Sequence, residues 1–215
     1  MHKIFGLLAL TLLTQGDVPS EEERETIVEC HTKLREEVEP PASSMQLMKY
    51  SVEMEKLAQE LLDLCGSDFP ESDPRFKDVG ISELSSEGGM PQYRDFCNED
   101  SKTYNYEGDS CKGHCLNYIR MVWAQTTLVG CALGRCQGKD DPTTYILCAY
   151  KPSSLMLDSR PYENGTSCSK CPEGYGCQRN QCYITSLAFK QPTSRHATLL
   201  SLLIIIVQFH LKQCI

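Results

Sequence analysis

The chain has 215 residues, 40% of them hydrophobic, with a formal net charge of −8 and 13 cysteines. That length allows one full core with a small appendage, and the lack of any sizeable basic run argues against nucleic acid as a partner. Charge is uneven: Asp17 to Ser110 carries 24 acidic and 9 basic residues, against 5 and 8 from Cys111 to Phe189, and acidic runs of this kind usually form a solvated face.

Met1 to Gly16 has Lys3 near its start, an apolar run from Ile4 to Leu13 and small or polar residues before Asp17, the pattern of a secretory signal peptide. Ser20 with Glu23 forms a capping box that opens a first helix, and Glu21 and Glu22 suit its positive end. Ile27, Cys30, His31, Leu34 and Val38 keep one face apolar until Pro40 and Pro41 stop it. A lone histidine on an apolar face reads as a hydrogen-bonded core residue before it reads as a ligand. Ala42 to Tyr50 has no clear period. Ser51 caps a second helix carrying Met54, Leu57, Ala58, Leu61, Leu62 and Cys65, and Met45, Met48 and Met54 read as core filler. Gly66 to Met90 reads as loop with at most one short strand, Pro91 opens a brief third helix through Cys97, and Thr103 to Gly108 is loop again. Leu116, Ile119, Val122 and Trp123 then predict an amphipathic helix from Cys115 to Gln125 that buries the only tryptophan. Val129 to Cys136 and Thr143 to Tyr150 follow as two strands across the turn residues Gly138, Asp140, Asp141 and Pro142.

Two motifs carry a family resemblance. Cys115, Tyr118, Val122, Trp123, Ala124, Val129, Gly130, Cys131, Ala132, Cys148 and Tyr150 hold the places of a C-G-H-Y-T-Q-V-V-W-A helix followed by V-G-C-A and V-C-N-Y strands. His31, Arg35, Val38, Pro40, Pro41 and Ala42 resemble an H-N-x-x-R-x-x-V-x-P-x-A opening, with Thr32 in place of the asparagine. The chain thereby resembles the CAP superfamily of cysteine-rich secretory proteins, wasp antigen 5 and plant PR-1 proteins. The resemblance implies an α+β fold, a three-layer α-β-α sandwich over residues 17–152. It also implies bridges Cys131–Cys148, Cys65–Cys136, Cys168–Cys177 and Cys171–Cys182, and leaves over Cys111 with Cys115 and Cys30 with Cys97. Twelve cysteines remain once Cys214 in the tail is set aside, and in a secreted chain disulfides take precedence over a zinc reading of Cys168 and Cys171.

Many CAP domains hold a divalent metal with two histidines and two glutamates, and here the set is degenerate. Asn117 stands at the histidine of the C-G-H-Y helix and Phe69 at the second histidine. Phe96 and Glu99 match a W-x-x-E motif. Gly80-Ile81-Ser82 matches G-E-N only loosely, so Ile81 takes the glutamate's place unless a slip brings in Glu83. An amide oxygen is a poor zinc ligand and a phenyl ring is none. His114 precedes Cys115 and would have to swing almost a full helical turn to substitute. No G-x-S-x-G elbow supports Ser43 or Ser44 as a nucleophile with His31. No metal, no cofactor and no catalytic residue is expected.

Residues 153–185 form a cysteine-rich hinge, too short and glycine-rich to hold together without cross-links. It resembles the hinge after many animal CAP domains, including those of flatworm venom-allergen-like proteins, the glioma pathogenesis-related proteins and peptidase inhibitor sixteen. Asn164-Gly165-Thr166 within it is an N-glycosylation sequon. Residues 186–215 hold a polar spacer and an apolar run from Ala197 to Val207, shorter than the ~20 residues a spanning helix needs. They read as a GPI-attachment signal with Ser186 as the anchor residue, a membrane tail and plain secretion being the alternatives. The loop bearing Tyr104 and Tyr106 resembles one implicated in sterol capture, although both rings can equally serve as packing. The reading is a non-enzymatic binding protein, secreted or at the cell surface, for a protein or a lipid of the sterol or fatty-acid class. The alternatives are a metal-dependent enzyme or protease, or a protease inhibitor.

Overall fold

The computed structural model describes residues 18–65, 70, 72–86, 89–99, 101–136, 143–153 and 159–185. The leader, Phe69, Ser186 and the apolar tail lie outside them.

The first helix, α1 (Glu21–Glu36), begins at Ser20, whose side chain accepts from the Glu23 amide while the Glu23 carboxylate accepts from the Ser20 amide. Its apolar stripe buries Ile27, Cys30 and His31. β1 is only Lys49–Tyr50, and Ser51 then caps α2 (Val52–Asp63) through the Met54 amide. β2 (Gly80–Ser86) is a full seven-residue strand where loop with at most one short strand was expected. Its Gly-Ile-Ser-Glu-Leu-Ser-Ser text has weak intrinsic preference; what makes it a strand is its pairing with β6 (Thr143–Lys151), from Gly80 opposite Tyr150 to Ser86 opposite Thr144. The expected third helix is a 3-10 turn over Tyr93–Asn98. The Thr103–Gly108 loop holds β3 (Tyr104–Asn105), paired with β4 (Ser110–Cys111).

The helix expected from Cys115 to Gln125 is shorter: α3 spans Leu116–Met121. Leu116 is 57% exposed and Trp123 only half-buried, while Tyr118, Ile119, Met121 and Val122 face the core. The reason lies on α1. The fully buried Arg35 guanidinium donates to the carbonyls of Met121, Trp123, Ala124 and Thr126, and also to Gln46. Carbonyls that would have continued the helix are turned toward a single cation.

β5 (Leu128–Cys136) pairs antiparallel with β6 and parallel with β1, giving a sheet ordered β1-β5-β6-β2. Side chains alternate across it. Val129, Cys131, Ile146, Cys148 and Tyr150 join Ile27, Met48, Tyr93, Phe96 and Met121 on the α1 side. Ala132, Leu147 and Ala149 join Met54, Leu57, Ala58, Leu61 and Leu62 on the α2 side. The chain is thus a three-layer α-β-α sandwich. Gly130 sets the closeness of one interface, because a Cβ there would lie 2.2 Å from the Glu55 amide nitrogen and 2.4 Å from the Ser51 carbonyl of α2.

The hinge packs onto this sandwich. β7 (Tyr175–Gln178) and β8 (Gln181–Ile184) form a hairpin, Cys182 exchanges main-chain bonds with Met45 and Leu47, and Gln181 donates to the Thr32 carbonyl. Arg179 binds Glu29 and Glu36 of α1, each at 2.7 Å.

Candidate functional site

Among the described residues, several polar assemblies and open grooves are places where chemistry could be done. The first assembly is centred on His31, which has no solvent exposure. Its Nδ1 lies 2.6 Å from the Ile27 carbonyl and its Nε2 3.0 Å from the Tyr150 hydroxyl. A carbonyl only accepts, so Nδ1 carries the proton and the Tyr150 hydroxyl donates to Nε2. Burial pushes the imidazole down to about 4, against the Ile27 bond that favours the charged form. His31 is therefore a neutral core residue with both nitrogens engaged.

The second assembly is Glu55, 4% exposed, which receives Arg24 in a two-pronged pair at 3.0 and 3.1 Å and the Tyr50 hydroxyl at 2.7 Å. It ties α1, β1 and α2 together.

The third surrounds Asn117, the position at which the family resemblance expects an imidazole. Half-buried Asn117 on α3 donates from Nδ2 to the Glu83 carbonyl at 2.9 Å and to Glu99 Oε1 at 3.1 Å, while its Oδ1 accepts from the Glu83 amide at 3.3 Å. Asn117 thus has donor and acceptor both engaged, with Glu99 as its carboxylate neighbour. Glu83 meets Asn117 through its main chain only. The register pairs Glu83 with Leu147 and Ser82 with Cys148, which puts the Glu83 and Ile81 side chains on the α2 side of the sheet and Ser82 on the α3 side. Glu83 there lines a cavity of about 130 Å³ with Leu61, Leu62 and Leu147. Period-two alternation therefore removes Glu83 from the Asn117 cleft, a correction that sequence spacing could have supplied had β2 been read as a strand. Among the described residues the one grouping of three His, Cys, Asp or Glu side chains with metal-ligand proximity is Cys168, Cys171 and Cys182, within 4.8 Å. Those sulfurs belong to bridges Cys168–Cys177 and Cys171–Cys182 and are not thiolates. The remaining bridges are Cys30–Cys97, Cys65–Cys136, Cys111–Cys115 and Cys131–Cys148.

The Tyr104–Tyr106 loop is pinned. Tyr104 donates to Asp109 at 2.7 Å, and burial, then that bond, raises its hydroxyl well above the usual tyrosine range. Tyr106 donates to the Tyr162 carbonyl and stacks on the Tyr162 ring, centroids 4.9 Å apart, while the Arg160 guanidinium lies over the Tyr106 ring, 5.5 Å from its centroid. Both tyrosines pack the loop. An open groove of about 670 Å³ beside them is lined by Tyr106, Trp123, Arg160 and Tyr162. A second groove, about 590 Å³, runs between the start of α1 and residues 90–94.

In a comparison of sequences, residues 28–150 match the model of CAP, the cysteine-rich secretory protein family. The chain belongs to the CAP family. It is 31% identical to peptidase inhibitor 16 of Bos taurus over 198 residues, which cover 85% of this chain and 42% of that protein. It thus spans about two fifths of the length of the first curated relatives it matches. Among solved structures it resembles NaASP2 with Zn2+, with a TM-score of 0.59, 25% identity and coverage of 78% of this chain and 100% of that one. Schistosoma mansoni venom allergen-like protein 4 aligns with a TM-score of 0.54 at 28% identity, covering 71% and 100%. The secretory description of the family fits a chain cross-linked by six disulfides.

Proposed function

We propose that this CAP chain is a non-enzymatic binding protein of the secretory pathway, held at the cell surface by a C-terminal GPI anchor, whose ligand is a protein or a lipid of the sterol or fatty-acid class. The observation that carries it is the state of Asn117. Where a metal-binding CAP domain would offer an imidazole, this chain offers an amide whose oxygen and nitrogen are both taken up by Glu83 and Glu99. One carboxylate and one amide make a weak set for a divalent transition metal. His31 is held in the core and the Ser43 hydroxyl donates to the Glu163 carbonyl, so neither presents a nucleophile–base pair. Function then falls to surfaces and grooves. The sequon residue Asn164 is exposed, as a glycan requires.

The test is calorimetric titration of the purified chain with zinc. We expect no binding tighter than ~10 µM, a free energy of about −7 kcal/mol. Asn117→His alone restores none, because one imidazole does not complete the set, whereas Asn117→His with Phe69→His gains measurable affinity. Tight stoichiometric zinc in the unmodified chain, lost on changing His114, would overturn the proposal and return the enzyme reading.

A further inference from the structure

The seam between α1 and residues 90–98 is graded along its length, apolar at one end and acidic at the other. At the apolar end, Val18 is 53% and Met90 68% exposed, over a floor of Pro91, Tyr93 and Leu133 in the groove of about 590 Å³. Glu22 and Thr26 also border a second groove of about 290 Å³, which continues beside Glu25, Glu29 and the Cys30–Cys97 bridge. From Glu22 to Glu29 the helical ridge runs about 10 Å.

The charges along it are mostly acidic. Glu23 is held in the cap with Ser20, and Glu29 is paired with Arg179. Glu22 and Glu25 form no ion pair with any described residue. The single cation lining the apolar groove, Arg94, donates to the Gln92 side chain at 2.6 Å. Exposed apolar side chains rimmed by polar ones mark interaction surfaces, and unpaired carboxylates beside them select a complementary charge.

We infer that this seam docks a protein segment of mixed character, its apolar side chains lying over Val18, Met90 and Leu133 and its lysines or arginines meeting Glu22 and Glu25. The inference deepens the binding-protein reading by naming the chemistry of a protein partner, and it does not depend on the state of Asn117. A fatty acid fits the groove's apolar end but leaves both carboxylates unanswered. An anionic membrane is repelled by them.

The experiment uses full-length chain purified from expressing cells and a fluorescein-labelled synthetic peptide, leucine-rich in one half and lysine-rich in the other, read by anisotropy. We expect saturable binding that weakens several-fold between 50 and 300 mM salt. Replacing the peptide's lysines by glutamates should abolish it. Glu22→Lys with Glu25→Lys should lower affinity at least ~10-fold, and Met90→Ser about 3-fold. All three positions are exposed, so unchanged melting should accompany the losses. Equal binding of the lysine and glutamate peptides, or no effect of the charge reversals, would overturn the inference. So would absence of peptide binding together with Met90-sensitive binding of palmitate or of phosphatidylserine vesicles. Peptide failure without zinc binding removes only this inference; tight zinc binding removes the binding-protein reading and leaves the peptide result to be judged by itself.

Discussion

Two buried residues on α1 govern most of what can be said residue by residue. His31 is neutral in the folded chain because burial holds it at about 4, below the unfolded value of 6.5. The unfolded state therefore binds the extra proton first, and stability is full above pH 6.5 and falls as the pH drops toward 4. The shift corresponds to roughly 3 kcal/mol over that window. Urea unfolding at pH 7 and pH 5 should show the loss, and His31→Gln should flatten the slope between them, whatever it costs at neutral pH. Arg35 is the other. Five residues direct carbonyls at its guanidinium, and removing it strands them in the core. Arg35→Met should cost about 4 kcal/mol or more, the range of a broken buried network. Arg35→Lys should recover little of it, since an ammonium cannot serve the same fan of acceptors. Equal melting temperatures for Arg35→Lys and the parent would show that charge, not the planar fork, is what matters. His31 as a core residue was legible from a helical stripe; the destination of Arg35 was not, because its partners lie 11 to 91 residues away.

At the scale of elements, the bridges are unequal in what they hold. Cys131 and Cys148 face each other across β5 and β6 with no exposure, in the middle of the core sheet. Cys131→Ala or Cys148→Ala should cost ~2–5 kcal/mol and reduce secretion. In the hinge, Cys168 is half-buried, whereas Cys182 is 1% exposed and shares main-chain bonds with Met45 and Leu47. Cys182→Ala should therefore be the more damaging of the two, with Cys168→Ala mild, as measured by secreted yield and thermal melting. Identical melting of both variants would mean that the two hinge bridges contribute equally and that the burial of Cys182 adds nothing. The helices α1 and α2 could be read because their caps and apolar stripes are local. β2 and the end of α3 could not, because β6 completes one and Arg35 terminates the other.

For the whole molecule, the described sandwich and its docked hairpin run as far as Thr185, and the apolar run from Ala197 to Val207 is the candidate anchor. If the anchor is a glycosylphosphatidylinositol, a phosphatidylinositol-specific phospholipase should release the protein from intact cells. Retention after that treatment, with Ile215 still present by mass spectrometry, would identify the tail as a membrane segment. The acidic balance of the first half finds its structural expression on the exposed face of α1, where the seam groove lies.

Sequence by itself determined the family and the disulfide-forming secretory compartment, because each rests on residue identity and local spacing. Tertiary structure alone decided which groups meet. It sent the Glu83 side chain to the far face of the sheet by the register of β2 against β6. It set Asp109 beside Tyr104 and Tyr162 beside Tyr106. It also joined Val18, Met90 and Leu133, distant in sequence, into one groove along an acidic helix. Such pairings depend on long-range register and burial, which composition and periodicity do not encode.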